Sequence, residues 1–225
     1  MSKATGSGKD ERLVQIRIDS ITLEGSVVIP AAAQGIVLFA HGSGSSRHSP
    51  RNRYVAQVLQ EGGLATLLID LLTPAEEEAD RRTGHLRFDI DLLARRLIGA
   101  TDWLVKYAET RELTIGYFGA STGAAAALIA AAERKEVVNA VVSRGGRPDL
   151  AEAVLDRVTA PVLLIVGGDD LQVIELNQQA FDQLTAEKRL EIIPGASHLF
   201  EEPGALEAVA RLARDWFQRH LRRGR

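Results

Sequence analysis

The sequence predicts an α/β protein built on a mostly parallel, twisted sheet with helices on both faces. Three observations carry this expectation. Short continuous apolar runs recur at Ile36–Phe39, Ala65–Ile69, Ile115–Phe118, Val137–Val142, Val162–Val166 and Leu190–Ile193, as in strands covered on both faces. Stretches with helical spacing lie between them, and such alternation closes into parallel crossover units. No internal repeat or linker breaks the rhythm, so one domain is expected over residues 12–225, after a polar, loose tail at 1–11.

The elements follow in order. Val14, Ile16 and Ile18 alternate with polar neighbours, the period of a half-buried strand. With the run Ile21–Ile29 they make an antiparallel N-terminal edge and bring the sheet to about seven or eight strands. Helices are expected at Asn52–Glu61, Leu86–Glu109, Thr122–Arg134, Asp149–Val158, Val173–Ala186 and Pro203–Arg222. In the long one, Leu86, Ile90, Leu93, Leu97, Thr101, Leu104 and Ala108 fall three or four apart, a stripe facing a core. Leu71–His85, with Pro74 and the charge run Glu76–Glu78, reads as a long loop. With only Arg144–Pro148 before the next helix, minimal or no lid is expected, and an open site for small substrates.

Composition narrows the function classes. The chain has 225 residues, 45% hydrophobic and 25% charged, ordinary globular usage. Cysteine is absent, which excludes a disulfide scaffold, a thiolate metal site and a cysteine nucleophile. A net charge of −3 offers no global basic field for nucleic acid or anionic lipid. The C-terminal cluster Arg211, Arg214, Arg219, Arg222, Arg223 and Arg225 spreads around a helix and reads as a solvated end, as does His220. No apolar run reaches the ~18 residues needed to span a bilayer, and the polar start lacks a signal peptide's core, so a cytoplasmic protein is expected.

Function in such a sheet lies at the carboxyl ends of the strands. The run Ile115–Phe118 leads into Gly119-Ala120-Ser121-Thr122-Gly123 and a helix. This is G-x-S-x-G at a strand-to-helix turn, the nucleophile elbow; the alternative is a serine that merely caps the helix. A serine needs a base, and His198, in the loop after the last strand, stands where the order nucleophile–acid–histidine puts it. The acid belongs after Val162–Val166, where Asp169 and Asp170 are adjacent; either could instead cap the next helix. Oxyanion donors are expected from the backbone N–H of Thr122 and from the glycine-rich turn His41–Ser46, at Ser43. His41 itself reads as a brace for that turn.

These motifs, HGSGSS, GASTG, VGGDD and GASHLFEEPG, resemble those of the α/β-hydrolase superfamily, and most of all its small dienelactone-hydrolase-like members. The resemblance covers Leu13–Leu221. Its pattern of Gly-Gly, one variable position, then the acid selects Asp170. Dienelactone hydrolases proper use a cysteine, so Ser121 implies ordinary serine ester hydrolysis. SRGGRPDLA and RHSPRNR are similar to segments of hydrolase-like proteins, some joined to a phosphoribosyltransferase domain; none is expected within this chain.

The expectation is a serine hydrolase for a small carboxylic ester, thioester or lactone, with Ser121, Asp170 and His198 catalytic and no metal or cofactor. Arg47, Arg51 and Arg144 are candidates to bind a carboxylate or phosphate of the substrate. The alternative is that they pair with Glu76–Glu78 or Asp149. Two rival readings are an acyltransferase or perhydrolase using the same acyl-enzyme, and a non-catalytic binding protein with this fold. The only partner expected is the small-molecule ester, with no nucleic acid or membrane, in a monomer or homodimer.

Overall fold

A computed structural model describes residues 11–222; the expected tail, the last three residues and, with them, Arg223 and Arg225 lie outside that range, save for Glu11. The alternation in the first run makes β1 (Arg12–Ile18) a half-buried strand, and a tight turn pairs Ile18 with Ile21 of β2 (Ile21–Val28). β2 lies antiparallel to β4 (Ala65–Ile69). From there β3 (Gly35–Ala40), β5 (Thr114–Ala120), β6 (Val138–Arg144), β7 (Val162–Gly167) and β8 (Lys188–Ile193) run parallel, giving the order β1-β2-β4-β3-β5-β6-β7-β8. The mostly parallel eight-stranded sheet and its antiparallel edge are those expected.

The apolar runs are unbroken because both faces are covered. Ile36 and Leu38 enter one core while Val37 and Phe39, between them, enter the other. The first core takes α3 (Ile90–Lys106), α4 (Thr122–Glu133), α5 (Leu171–Gln183) and the 3-10 segment Pro148–Arg157. The second takes α1 (Pro50–Glu61) and α6 (Ala205–His220), which also pack on each other. Three residues, Gly145–Arg147, join β6 to the 3-10 segment. Among the described residues no helix is long and apolar enough to cross a membrane.

Three expectations change. Leu71–His85 is no open loop, because α2 (Pro74–Thr83) occupies most of it. Thr73 caps its N-terminus, Glu76 completes a reciprocal capping box, and Gly84 closes the other end in the left-handed region. The long helix from Leu86 is broken: Leu86–Phe88 form one 3-10 turn, and Asp89 then caps α3 by accepting from the Leu92 N–H. His220 is packed rather than solvated, its ring 4.5 Å from that of Trp216.

Candidate active site

The strand ends gather the sequence-selected residues. β5 stops at Ala120, and Ser121 takes φ 51° and ψ −123° before α4 begins. An L-residue rarely holds that conformation, and here the surroundings impose it. The Ser121 N–H donates to Arg144 O at 3.2 Å, while Ser121 O accepts from Ala124 N at 3.1 Å and Arg147 N at 3.2 Å. The turn is tight enough that a Cβ on Gly119 would lie 2.4 Å from Ala124 Cα, and one on Gly123 2.2 Å from Ala40 O. Although Ser121 stands at the helix cap position, its hydroxyl makes no capping bond. That sets aside the reading of an ordinary cap, and leaves Oγ free over the first turn of α4, where N–H groups and partial positive charge gather.

The two aspartates after β7 part company. Asp169 is exposed, whereas Asp170 Oδ2 lies 2.6 Å from His198 Nδ1. Asp170 also precedes α5 but makes no capping bond; its carboxylate serves the imidazole instead. A carboxylate can only accept there, so Nδ1 carries the proton in this contact and Nε2 keeps its lone pair. The turns carrying the pair are laced together through backbone: Gly168 N donates to Ile193 O at 2.8 Å, and Asp169 N to Ala196 O at 3.0 Å. Gly167 permits this approach, since a Cβ there would lie 2.3 Å from Ala196 O. The histidine loop is further held by the Ser197 N–H, which donates to Glu202 at 3.0 Å.

On the other side, the Ser43 N–H donates to Thr122 Oγ1 at 3.1 Å, and the two hydroxyls lie 3.0 Å apart. Both expected oxyanion residues are thus adjacent, but in this state the Ser43 N–H is occupied by the Thr122 hydroxyl. Thr122 opens α4, so its own N–H has no helical acceptor. His41 is a brace: Nδ1 donates to Gly42 O at 3.0 Å and Nε2 accepts from the Leu71 N–H at 3.1 Å. Burial pushes it below the ordinary histidine value, against the pull of the Gly42 carbonyl and of Asp70 and Glu77. Beside this turn lies a cavity of about 240 Å³, lined by Ser43, Leu72, Asp80, Arg81 and Arg87 among others. Its α2 wall escaped the sequence reading, as did the clamp of Arg87 Nε on buried Asp80 at 2.5 Å.

The arginines divide. Arg47 is taken by Asp70 and by Glu24, the latter at 2.7 Å, and Arg51 by Glu201 at 2.9 Å. Neither meets Glu76–Glu78 or Asp149, the partners weighed from sequence, and both terminal nitrogens of Arg47 are committed to carboxylates. Arg144 is buried, only 8% exposed, and pairs with no carboxylate among the described residues. Burial, with the neighbouring Arg51 charge, lowers it to about 10. No cluster of three or more His, Cys, Asp or Glu able to hold a metal occurs among the described residues.

A solved structure named as a dienelactone hydrolase from Anabaena variabilis is 67% identical, covers 95% of this chain and 99% of its own, and superposes with a TM-score of 0.94. Est1E from Butyrivibrio proteoclasticus shares the fold at 18% identity, covering 92% of this chain and 98% of its own, with a TM-score of 0.77. A Mycobacterium tuberculosis H37Rv protein provisionally named a phosphoribosyl transferase is 58% identical over 213 residues, 95% of this chain. The chain spans about half, 47%, of that relative's length. The dienelactone hydrolase family model matches residues 23–222, and the chain belongs to that family.

Proposed function

We propose that the chain is a serine hydrolase acting on a small carboxylic ester, thioester or lactone. The observation that carries the reading is Ser121 held strained and uncapped at the elbow after β5, while the turns after β7 and β8, at the same carboxyl-terminal edge of the sheet, present a paired Asp170 and His198. Ser121 Oγ attacks the acyl carbon as its proton passes to His198 Nε2. Asp170 accepts from Nδ1–H and stabilises the imidazolium. The oxyanion takes the free N–H of Thr122 and competes with Thr122 Oγ1 for that of Ser43; each such donor is worth about 3–4 kcal/mol of barrier. His198 returns the proton to the leaving group, and water, deprotonated by the same nitrogen, releases the acid. The esterase names of distant fold neighbours agree with this reading. The transferase name belongs to proteins of twice this length and is not carried over.

Exposure to a fluorophosphonate followed by intact-mass measurement tests it. One adduct on the wild-type protein, absent from Ser121→Ala and His198→Ala, is expected. A folded wild-type protein that takes no adduct refutes the mechanism and favours a binding role for the fold.

A further inference from the structure

Between the elbow and the histidine loop stands the connection Gly145–Arg147. The Arg147 N–H donates to Ser121 O at 3.2 Å, and the Gly145 N–H to Ile165 O at 2.7 Å. A Cβ on Gly145 would lie 3.2 Å from His198 O and 3.5 Å from His198 Cε1. The connection therefore touches both the residue of the proposed nucleophile and that of the proposed base. It has no means of stiffening itself. Gly145 holds φ 50°, and a side chain on Gly146 would collide with Ser143 Oγ and Ala124. Two adjacent glycines bring the greatest backbone freedom to this spot.

Restraint comes from α5. Its buried stripe is Val173, Asn177 and Ala180, where an amide is costly unless it is hydrogen-bonded. Asn177 is fully buried, and its Nδ2 donates to Gly146 O at 3.0 Å and to Val173 O at 2.8 Å. Both partners are carbonyl oxygens, so the amide faces them with its NH2. No other side chain among the described residues bonds the backbone of this connection; Ser143 Oγ, though it crowds Gly146, has no partner. Asn177 also lies about two turns along the helix that Asp170 precedes.

We propose that Asn177 is a positioning residue: it pins Gly146 to the helix headed by Asp170, and through Gly145 and Arg147 it sets the place of Ser121 relative to His198. The inference rests on the serine hydrolase reading and adds to it a residue remote from the reacting atoms. A reacting geometry displaced by about 1 Å costs on the order of 100-fold in rate, so freeing Gly146 shows in the chemical step rather than in ester binding.

The test compares Asn177→Ala and the equal-sized Asn177→Asp, neither of which carries the NH2, with Thr110→Val. Thr110 is as buried, and its hydroxyl donates to Leu104 O at 2.7 Å, but it precedes β5 at the amino end of that strand, away from the site. Stopped-flow mixing with p-nitrophenyl acetate reads acylation alone. Its limiting rate constant is expected to fall about 10- to 100-fold in both Asn177 variants, with the half-saturating ester concentration within about threefold of wild type. Thr110→Val, destabilised through a comparable lost bond, is expected to acylate at the wild-type rate. Amide exchange of Arg147 should quicken about tenfold or more in the Asn177 variants alone. Acylation unmoved, Arg147 exchange unmoved, or an equal rate loss in Thr110→Val overturns the assignment. The wild-type protein decides if the variants fail to fold: the Asn177 NH2 protons should exchange slowly and give NMR cross-peaks to the Gly146 Hα protons, and their absence overturns it too. Faster Arg147 exchange in the variants, with a wild type that takes no fluorophosphonate, keeps the pin and refutes the hydrolase. Wild-type acylation with exchange and rates unmoved in the variants does the reverse.

Discussion

Replacing Ser121 by glycine separates the backbone cost of the elbow from the chemistry of its hydroxyl. At φ 51° and ψ −123°, a residue with a Cβ carries about 1–3 kcal/mol of strain. Glycine escapes it but loses about 0.5–1 kcal/mol through the greater freedom of its unfolded chain. The balance is about 1 kcal/mol in favour of glycine. Ser121→Ala is the proper reference, because it keeps the Cβ and discards a hydroxyl that makes no capping bond. At about 2–4 °C per kcal/mol for a chain of this size, Ser121→Gly should melt about 2–4 °C above Ser121→Ala, with both unable to turn over ester. Scanning calorimetry, checked by the denaturant midpoint, reads the difference. A glycine variant no more stable than the alanine one would refute the claim that the turn stores strain at residue 121.

Three further outcomes are expected. Gly123→Ala drives a Cβ to 2.2 Å from Ala40 O, backbone that cannot swing aside, and should cost about 3 kcal/mol or more; an unchanged denaturant midpoint would show that the elbow and the end of β3 can part. Asp170→Asn should lower kcat by about 100- to 10,000-fold while exposed Asp169 tolerates the same change within about threefold, and steady-state rates in the opposite order would reverse the assignment. His41 is held neutral, its folded value lying below that of the unfolded chain, so the unfolded state binds the extra proton in acid. Its contribution is therefore complete above the unfolded value of about 6.5 and is lost as pH falls toward the folded one, by up to about 1.4 kcal/mol per unit. Unfolding free energies measured across that window should fall less steeply in His41→Gln. Since burial also lowers His220, the difference between the two proteins is the quantity to read, and identical slopes would exclude His41.

What the sequence revealed, and what it hid, follows from how each signal is encoded. The strands were legible because β3, β5 and β7 are buried on both faces and so carry uninterrupted apolar runs. α2 was hidden because it presents a mostly charged surface with Asp80 its one buried residue, leaving no apolar stripe. The signal it does carry lies in its caps, Thr73-Pro74 with Glu76 at one end and Gly84 at the other. The break before α3 was masked because Leu86 falls on the stripe although Asp89 restarts the helix. At the site, order along the chain nominated Ser121, Asp170 and His198, and the parallel sheet brings the last two into contact at 2.6 Å. The partners of Arg47 and Arg51 were not, because Glu24, Asp70 and Glu201 reach them across β2, β4 and the histidine loop, and no local spacing records such contacts.

The position of each group in the strand order gives the site two different degrees of permanence. Ser121 rises from β5, with three strands beyond it on one side and four on the other. Asp170 and His198 follow β7 and β8, and β8 is an edge strand whose residues are all at least partly exposed. Amide protons of an outer strand exchange through openings that leave the central strands intact. The histidine loop follows that edge strand, but its backbone ties to the turn after β7 and the buried Ala196 and Phe200 hold it to the interior. The proposed nucleophile thus rises from the middle of the sheet, while the proposed base hangs from its rim and depends on two buried side chains to keep its place when the rim opens.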